Sequence, residues 1–335
     1  MNTKKLNHIL IAKQNNILSE LSNGFEDYCF EYTSLPEINF EEIDTSTSFL
    51  GKKLSMPLMI SAMTGGIKEA ENINHKLAQF AQNHNLAMGI GSERILIENE
   101  SLLCNGFNIR KFAPDILLFA NIGAVQLNYG YTIEHCKKAI DLIEADAIAL
   151  HLNPLQEVFQ NSGNTNFCNL ISKIETLCKN INVPIIIKDV GFGISENVAK
   201  KLVDIGVNVI DVAGRGGTDW IKIESLSNNN KIMQNIAKYF NEFGIKTADA
   251  ICALKNINML KIASGGITNG VEIAKSIALG ADIAGIARGF LLNLDNLEEY
   301  YLELSQTLKI CMFSIGAKSI DNLKSTNKIK HKIKL

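Results

Sequence analysis

The stretch Ala147-Ile148-Ala149-Leu150-His151-Leu152-Asn153-Pro154-Leu155-Gln156-Glu157 decides how the rest of the chain is read. Its first four residues are continuously apolar, the pattern of a parallel strand buried on both faces. The next seven deliver a His, an Asn, a Gln and a Glu. In parallel α/β folds ligands bind at the carboxyl ends of strands, so a polar burst at that point marks a candidate site. A strand that simply ends in a polar loop reads the same way, and the other strand ends must decide between the two.

Seven further apolar runs share this character: Pro57–Ala62, Leu86–Ile90, Ile116–Ala120, Pro184–Ile187, Val209–Val212, Leu260–Ala263 and Ile283–Ile286. Successive runs start 23 to 37 residues apart, except for an interval of 51 between the sixth and seventh of the eight. Amphipathic stretches with caps lie between them. Thr132 precedes a helix with Ile133, Cys136, Ala139, Ile140 and Ile143 on one face; Ser195 opens Glu196–Ile205, ended by Gly206; and Asn269 opens a helix closed by Gly280. Eight β/α units of this size predict an α/β fold, a (β/α)8 TIM barrel, as one domain over residues 1–335. A doubly wound open sheet is the alternative, but it carries fewer strands and breaks its pattern at a second domain. Residues 1–50 read as an N-terminal extension and 218–259 as an insertion after the sixth strand, placed to cover the barrel mouth. Asn293–Ile315 reads as a closing helix and 324–335 as a solvated basic tail.

Composition frames the function. The chain has 335 residues, 46% hydrophobic and 20% charged, with a net charge of −2, which gives no reason to expect nucleic acid or an anionic membrane surface. The seven cysteines (Cys29, Cys104, Cys136, Cys168, Cys178, Cys252 and Cys311) are dispersed, with no C-x-x-C pair and no metal-ligand spacing. Such a set reads as reduced thiols. The apolar stretch before Lys13 is too short for a signal peptide, and no run reaches membrane-spanning length. A cytoplasmic protein is expected.

The remaining strand ends match the first. They read Ala62-Met63-Thr64-Gly65-Gly66, Gly91-Ser92-Glu93-Arg94, Asn121-Ile122-Gly123, Lys188-Asp189-Val190-Gly191-Phe192-Gly193, Gly214-Arg215-Gly216-Gly217-Thr218, Ser264-Gly265-Gly266-Ile267-Thr268 and Ala287-Arg288-Gly289. Glycine lets a backbone approach a ligand closely. Tight barrel turns account for some of these glycines, and a large ligand for the set. The loops after strands seven and eight are where barrels hold phosphate, and Gly265-Gly266 leads into a helix N-terminus. A phosphate there, with glycine-lined loops around the rim, suits a long phosphorylated cofactor such as FMN. Lys188 would stabilise the negative charge of a reduced flavin ring. No G-x-G-x-x-G follows a strand, so a Rossmann site is not indicated.

Together these motifs resemble the type 2 isopentenyl-diphosphate Δ-isomerases. The resemblance runs from Lys4-Lys5-Leu6-Asn7-His8-Ile9, through Phe25 to Gly66, to Gly285-Ile286-Ala287. Its most specific parts are His151-Leu152-Asn153 with Gln156-Glu157, Lys188 with Val190-Gly191-Phe192-Gly193, and Gly216-Gly217-Thr218. It implies a TIM barrel that interconverts isopentenyl and dimethylallyl diphosphate with reduced FMN and Mg²⁺, NADPH or NADH reducing the flavin. It also implies a homo-oligomer, a tetramer or octamer.

Carried over residue by residue, the resemblance assigns Ala62, Met63, Thr64, Ser92, Asn121, Lys188 and Thr218 to the flavin. Gly266, Ile267, Thr268, Ala287 and Arg288 would hold its phosphate. Lys4, Lys5, Ser92, Glu93 and Arg94 would bind the substrate diphosphate, with His8 and His151 near it. Asn153 and Gln156 would face the substrate, with Gln156 and His151 as the catalytic candidates, and Glu157 would ligate Mg²⁺. Gln156 cannot serve as a strong acid or base near neutral pH, so positioning suits it. The resemblance suggests that the proton is carried by N5 of the reduced flavin.

The chain departs from the family pattern at four places. Lys4-Lys5 stands where Arg-Lys is common, Glu93 where Gln is frequent, Ala213 where Ser is frequent and Thr268 where many relatives have Arg. Two other readings compete. A flavin-dependent 2-hydroxy-acid oxidase shares the Gly-Gly-Ile loop but needs a histidine base that Gly214-Arg215-Gly216 lacks. A non-catalytic flavin-binding barrel would not need Gln156 and Glu157 beside His151.

Overall fold

Each of the eight apolar runs forms a strand in the computed structural model, which describes residues 10–12, 17–63, 68–101, 106–228 and 230–332. The strands are β1 (Leu58–Ile60), β2 (Ala87–Gly89), β3 (Leu118–Gly123), β4 (Ala147–His151), β5 (Ile185–Lys188), β6 (Val209–Asp211), β7 (Leu260–Ser264) and β8 (Ile283–Ile286). All pair in parallel, in chain order, and β8 pairs with β1 to close the barrel. The fold is the expected (β/α)8 barrel.

The helices that bear on the site are α1 (Lys68–Asn83), α2 (Arg94–Glu98), α3 (Ile133–Ile143), α4 (Pro154–Phe159), α5 (Leu170–Asn180), α6 (Glu196–Asp204), α7 (Trp220–Ser227), α8 (Lys231–Ala237), α9 (Thr247–Ala253), α10 (Gly270–Leu279), α11 (Arg288–Leu292) and α12 (Leu297–Ser314). The predicted caps are in place at α6, where Ser195 Oγ accepts the Val198 N–H at 3.4 Å, and at α10, where Asn269 Oδ1 accepts the Glu272 N–H at 3.0 Å. The main apolar cluster lies between the barrel and the helix layer.

Two described segments near the chain's ends form small antiparallel pairings. Strands Thr47–Phe49 and Lys52–Leu54 form an antiparallel hairpin whose Phe49 and Leu54 pack into the barrel's interior cluster. The basic tail does not simply fray: Ile329–His331 pairs antiparallel with Tyr28–Phe30. A period-2 signal three residues long is too short to see among lysines. The insertion after β6 holds α7, α8 and the outer-layer helix α9. A small apolar cluster of Phe159, Phe192, Ile221 and Ala237 seats it on the ends of β4 and β5.

Candidate active site

Side chains along a strand alternate between faces, so stepping two residues keeps the same face. Met59, Ala87, Phe119, Ala149, Ile186, Val209, Ile262 and Ile283 belong to the apolar layer inside the barrel. Two residues further toward the carboxyl ends, the same faces carry Ser61, Gly89, Asn121, His151, Lys188, Asp211, Ser264 and Gly285. Every strand thus exchanges an apolar interior residue for a small or polar one within one two-residue step, staggered around the barrel by its register, and together these residues form the floor of the site. Gly123, His151, Lys188 and Asp211 are successive register partners from β3 to β6.

Two hydrogen-bonded groups cross this floor. In the first, Ser264 Oγ donates to Asp211 Oδ1 at 2.6 Å, and Lys188 Nζ lies 3.4 Å from Asp211 Oδ2. Asp211 is buried and Lys188 nearly so. In the second, His151 Nδ1 lies 2.8 Å from Asn121 Oδ1, while Asn121 Nδ2 donates to the Ile90 carbonyl at 3.0 Å. The Asn121 N–H donates to Glu93 Oε2 at 2.9 Å. Burial, only partly opposed by that N–H, pushes the Glu93 carboxyl well above the usual range. Glu93 is therefore turned inward, with its charged form disfavoured. Burial, aided by Lys188, lowers His151 to about 4, so its imidazole is neutral at physiological pH.

The polar burst after β4 builds one wall. Asn153 precedes α4, with Pro154 in the first turn, where its missing N–H costs nothing. Asn153 Nδ2 donates to Glu157 Oε1 at 2.9 Å and to Gln156 Oε1 at 3.2 Å. The Asn164 N–H donates to Glu157 Oε2 at 2.6 Å, and Gln156 Nε2 donates to Glu224 Oε1 on α7 at 2.9 Å. Glu157 and Glu224 are both buried. The insertion thus supplies a carboxylate that orients Gln156.

The opposite side has the shape of a phosphate cradle. Gly265 and Gly266 have φ of +109° and +78°, and a Cβ on Gly266 would fall 2.4 Å from Gly216, so the β6 and β7 loops meet backbone to backbone. α10 begins just beyond, its positive end capped by Asn269. Thr268, however, is exposed, and both its N–H and Oγ1 donate to Glu272 Oε2, at 2.7 and 3.0 Å. Gly266 and Ile267 line the cradle, whereas Thr268 is spent inside the helix cap. The N-terminal extension reaches this rim: Arg288 Nε donates to the Ala12 carbonyl at 3.0 Å, Leu18 bridges Thr218, and Asn23 Nδ2 donates to the Gly266 carbonyl at 2.8 Å.

Ala62 and Met63 follow β1 and are partly buried, Ser92 and Arg94 follow β2, and Ala287 precedes α11. Arg94 Nε donates to Glu98 Oε1 at 3.2 Å. Lys4, Lys5, His8 and Thr64 lie outside the described residues. Arg215 is fully buried: its Nη2 donates to Asp219 Oδ2 at 2.9 Å and to the Asn241 carbonyl at 2.7 Å, and its guanidinium sits 5.0 Å from the Phe192 ring. It ties the β6 loop to the insertion and presents nothing to a carboxylate substrate. Sequence reading missed Glu224, Asp211 and the Arg215–Asp219 pair. Asp211 had a signal, a charge at the end of an otherwise apolar run.

The residues present fit a flavin nucleotide. The backbone cradle, the Lys188 cation and a buried Ser61 Oγ with no hydrogen-bond partner line one rim. Glu157 also fits a divalent cation, because each carboxylate oxygen that accepts one N–H keeps a further lone pair. Among the described residues no group of three or more His, Cys, Asp or Glu could hold a metal by itself. A cation held by Glu157 would complete its shell with water and phosphate oxygens, as Mg²⁺ does. No helix among the described residues is long and apolar enough to cross a membrane.

Comparison with known proteins agrees with this geometry. The family model described as FMN-dependent dehydrogenase matches residues 149–330. A Nostoc protein named isopentenyl-diphosphate delta-isomerase is 45% identical over 334 residues, covering 98% of this chain and 95% of its own. One of the same name from Rickettsia bellii is 47% identical over 330 residues, covering 96% and 95%. Among solved structures, a flavocytochrome b2 variant with benzoylformate superposes with a TM-score of 0.70 at 18% identity, covering 93% of this chain and 78% of its own. A monotopic membrane protein, (S)-mandelate dehydrogenase, gives 0.70 at 13% identity, covering 99% and 98%. At such identities the structural neighbours show the fold alone.

Proposed function

The chain belongs to the isopentenyl-diphosphate delta-isomerase family, and from that premise we propose how its rim interconverts isopentenyl and dimethylallyl diphosphate. It is an FMN-dependent isomerase of isoprenoid biosynthesis. The observation that carries the site reading is Gln156, held between Asn153 and Glu224 at the end of β4, with the neutral His151 and the Lys188–Asp211 pair on the adjoining floor.

Reduced FMN, when bound, would supply an electron-rich ring able to exchange a proton at N5. The chain's own groups hold the reactants for that chemistry. Lys188 stands at the rim, where it would stabilise the anionic form of the ring. Gln156, its amide fixed at both ends, positions the hydrocarbon part of the substrate, and His151 contacts the bound ligands. Ala62, Met63, Thr64, Ser92, Asn121 and Thr218 are assigned to the ring, and Gly266, Ile267, Ala287 and Arg288 to its phosphate. Thr268 holds the α10 cap in place. Lys4, Lys5, His8, Ser92 and Arg94 bring charge and hydrogen bonds to the diphosphate. Glu93 supports this group through Asn121.

Glu157 is assigned to Mg²⁺, which it would hold as a hard oxygen ligand and which would supply positive charge for the diphosphate. NADPH or NADH is the proposed reductant, the cytoplasm the proposed location and a homo-oligomer, a tetramer or octamer, the proposed assembly. Exposed Ile232, Tyr239 and Phe243 on the insertion are apolar surface of the kind that copies cover. The test of the wall is Glu157→Gln: the Mg²⁺ concentration for half-maximal isomerisation rises while FMN binding, followed by flavin fluorescence, stays unchanged. An unaltered Mg²⁺ dependence removes Glu157 from the cation site.

A further inference from the structure

We propose that His151 meets the bound ligand as a hydrogen-bond acceptor through Nε2, and that Asn121 is the positioning residue that fixes this tautomer. The proposal rests on the reading of the rim as the ligand site.

The assignment follows from which groups can donate. The Ile90 carbonyl can only accept, so the amide nitrogen of Asn121 must face it, as its 3.0 Å contact records. The amide oxygen then faces His151, and it too can only accept. The proton in the 2.8 Å contact must therefore sit on His151 Nδ1. A neutral imidazole protonated at Nδ1 has a bare lone pair at Nε2. Asn121 itself is locked in place, because its N–H donates to Glu93 Oε2 at 2.9 Å and its carbonyl accepts the Glu93 N–H at 2.8 Å.

Gly123 gives an independent sign that Nε2 is meant to be reached. Its φ of −68° is open to any residue, so the backbone does not call for glycine here. It is the register partner of His151, and a Cβ there would lie 3.1 Å from Nε2 and 3.4 Å from Cε1. Any side chain at position 123 would press on that nitrogen; glycine leaves it uncovered. The charged neighbours along the same row are Lys188 and Asp211, which pair with each other.

An acceptor cannot bind a fully ionised diphosphate oxygen, which also only accepts. The group opposite Nε2 must carry an N–H or O–H: a ring N–H of the reduced flavin, or a water on the metal-bound diphosphate. His151 thus selects for a donor and not for a bare diphosphate oxygen.

The test is nitrogen NMR of the full chain labelled with ¹⁵N-histidine, with the His151→Gln variant identifying the signal among the six histidines. At pH 7 the wild-type signal is expected to show a protonated Nδ1 and an unprotonated Nε2. Asn121→Leu should turn this single tautomer into a mixture. Reduced FMN and Mg²⁺ with inorganic diphosphate are added separately, and the one that shifts the Nε2 resonance is the source of the donor. Gly123→Ala should keep the tautomer and lose the shift. A protonated Nε2 in the wild type, or a tautomer unchanged by Asn121→Leu, overturns the proposal alone. A signal with the expected tautomer that neither addition moves overturns the ligand contact and counts against the rim as the ligand site.

Discussion

At Glu93 a carboxyl group is wholly buried with one oxygen accepting the Asn121 N–H and the other without a partner. Such a group stays protonated in the folded chain at pH values where the unfolded chain has released its proton. Wild-type stability should therefore fall as pH rises above the ordinary Glu range, by about 1.4 kcal/mol per pH unit, until Glu93 itself ionises. Glu93→Gln keeps the shape and removes the titration, so its Tm advantage over wild type should widen from pH 5 to pH 8; a constant gap contradicts the neutral acid. His151 acts with the opposite sign. Its depression to about 4 means that the unfolded chain takes up a proton first, so stability is lost as pH falls from 6.5 toward 4. Glu224 makes a further residue-scale prediction. Glu224→Ala frees the Gln156 amide, and losing a charge-assisted hydrogen bond worth about 1.5–3 kcal/mol should lower kcat roughly 10- to 100-fold with FMN affinity unchanged. An unchanged kcat contradicts the positioning role. Gln156 and Glu157 were legible because they follow an apolar run directly. Glu224 was not, because it lies 68 residues from its partner and only the folded insertion brings it there.

At the scale of elements, a buried cation latches the insertion beside the apolar cluster that seats it. Arg215 joins the β6 loop to Asp219 at the start of α7 and to the Asn241 carbonyl beyond α8. Arg215→Ala leaves the buried Asp219 without its cation, keeping only the Ile221 and Lys222 N–H groups, which should cost about 3–5 kcal/mol in urea unfolding. It should also open the 228–245 region to limited proteolysis; an unchanged cleavage pattern contradicts the latch. The barrel strands were legible because parallel strands buried on both faces give uninterrupted apolar runs, and their helices because caps such as Ser195 and Asn269 announce them. The pairing of Tyr28–Phe30 with Ile329–His331 joins the two ends of the chain, and nothing local encodes it. The caps also hid a detail, since Glu272 claims the Thr268 N–H that a phosphate would otherwise use.

For the whole molecule, fold and function are set at different levels. A flavocytochrome b2 variant and an (S)-mandelate dehydrogenase share the architecture at under 20% identity, while proteins named isopentenyl-diphosphate delta-isomerase are 45–47% identical over nearly the whole chain. The change from an apolar to a polar layer two residues apart on every strand makes a floor, and the loops above it decide the chemistry. Here Arg215 is interior, bonded to Asp219 and the Asn241 carbonyl. The most direct test is to incubate the purified chain anaerobically with reduced FMN, Mg²⁺ and isopentenyl diphosphate and to follow products by NMR. The account predicts dimethylallyl diphosphate, abolished by chelating Mg²⁺ and by omitting the reductant. Failure to form it under these conditions, or FMN reduction by a 2-hydroxy acid in its place, would contradict it.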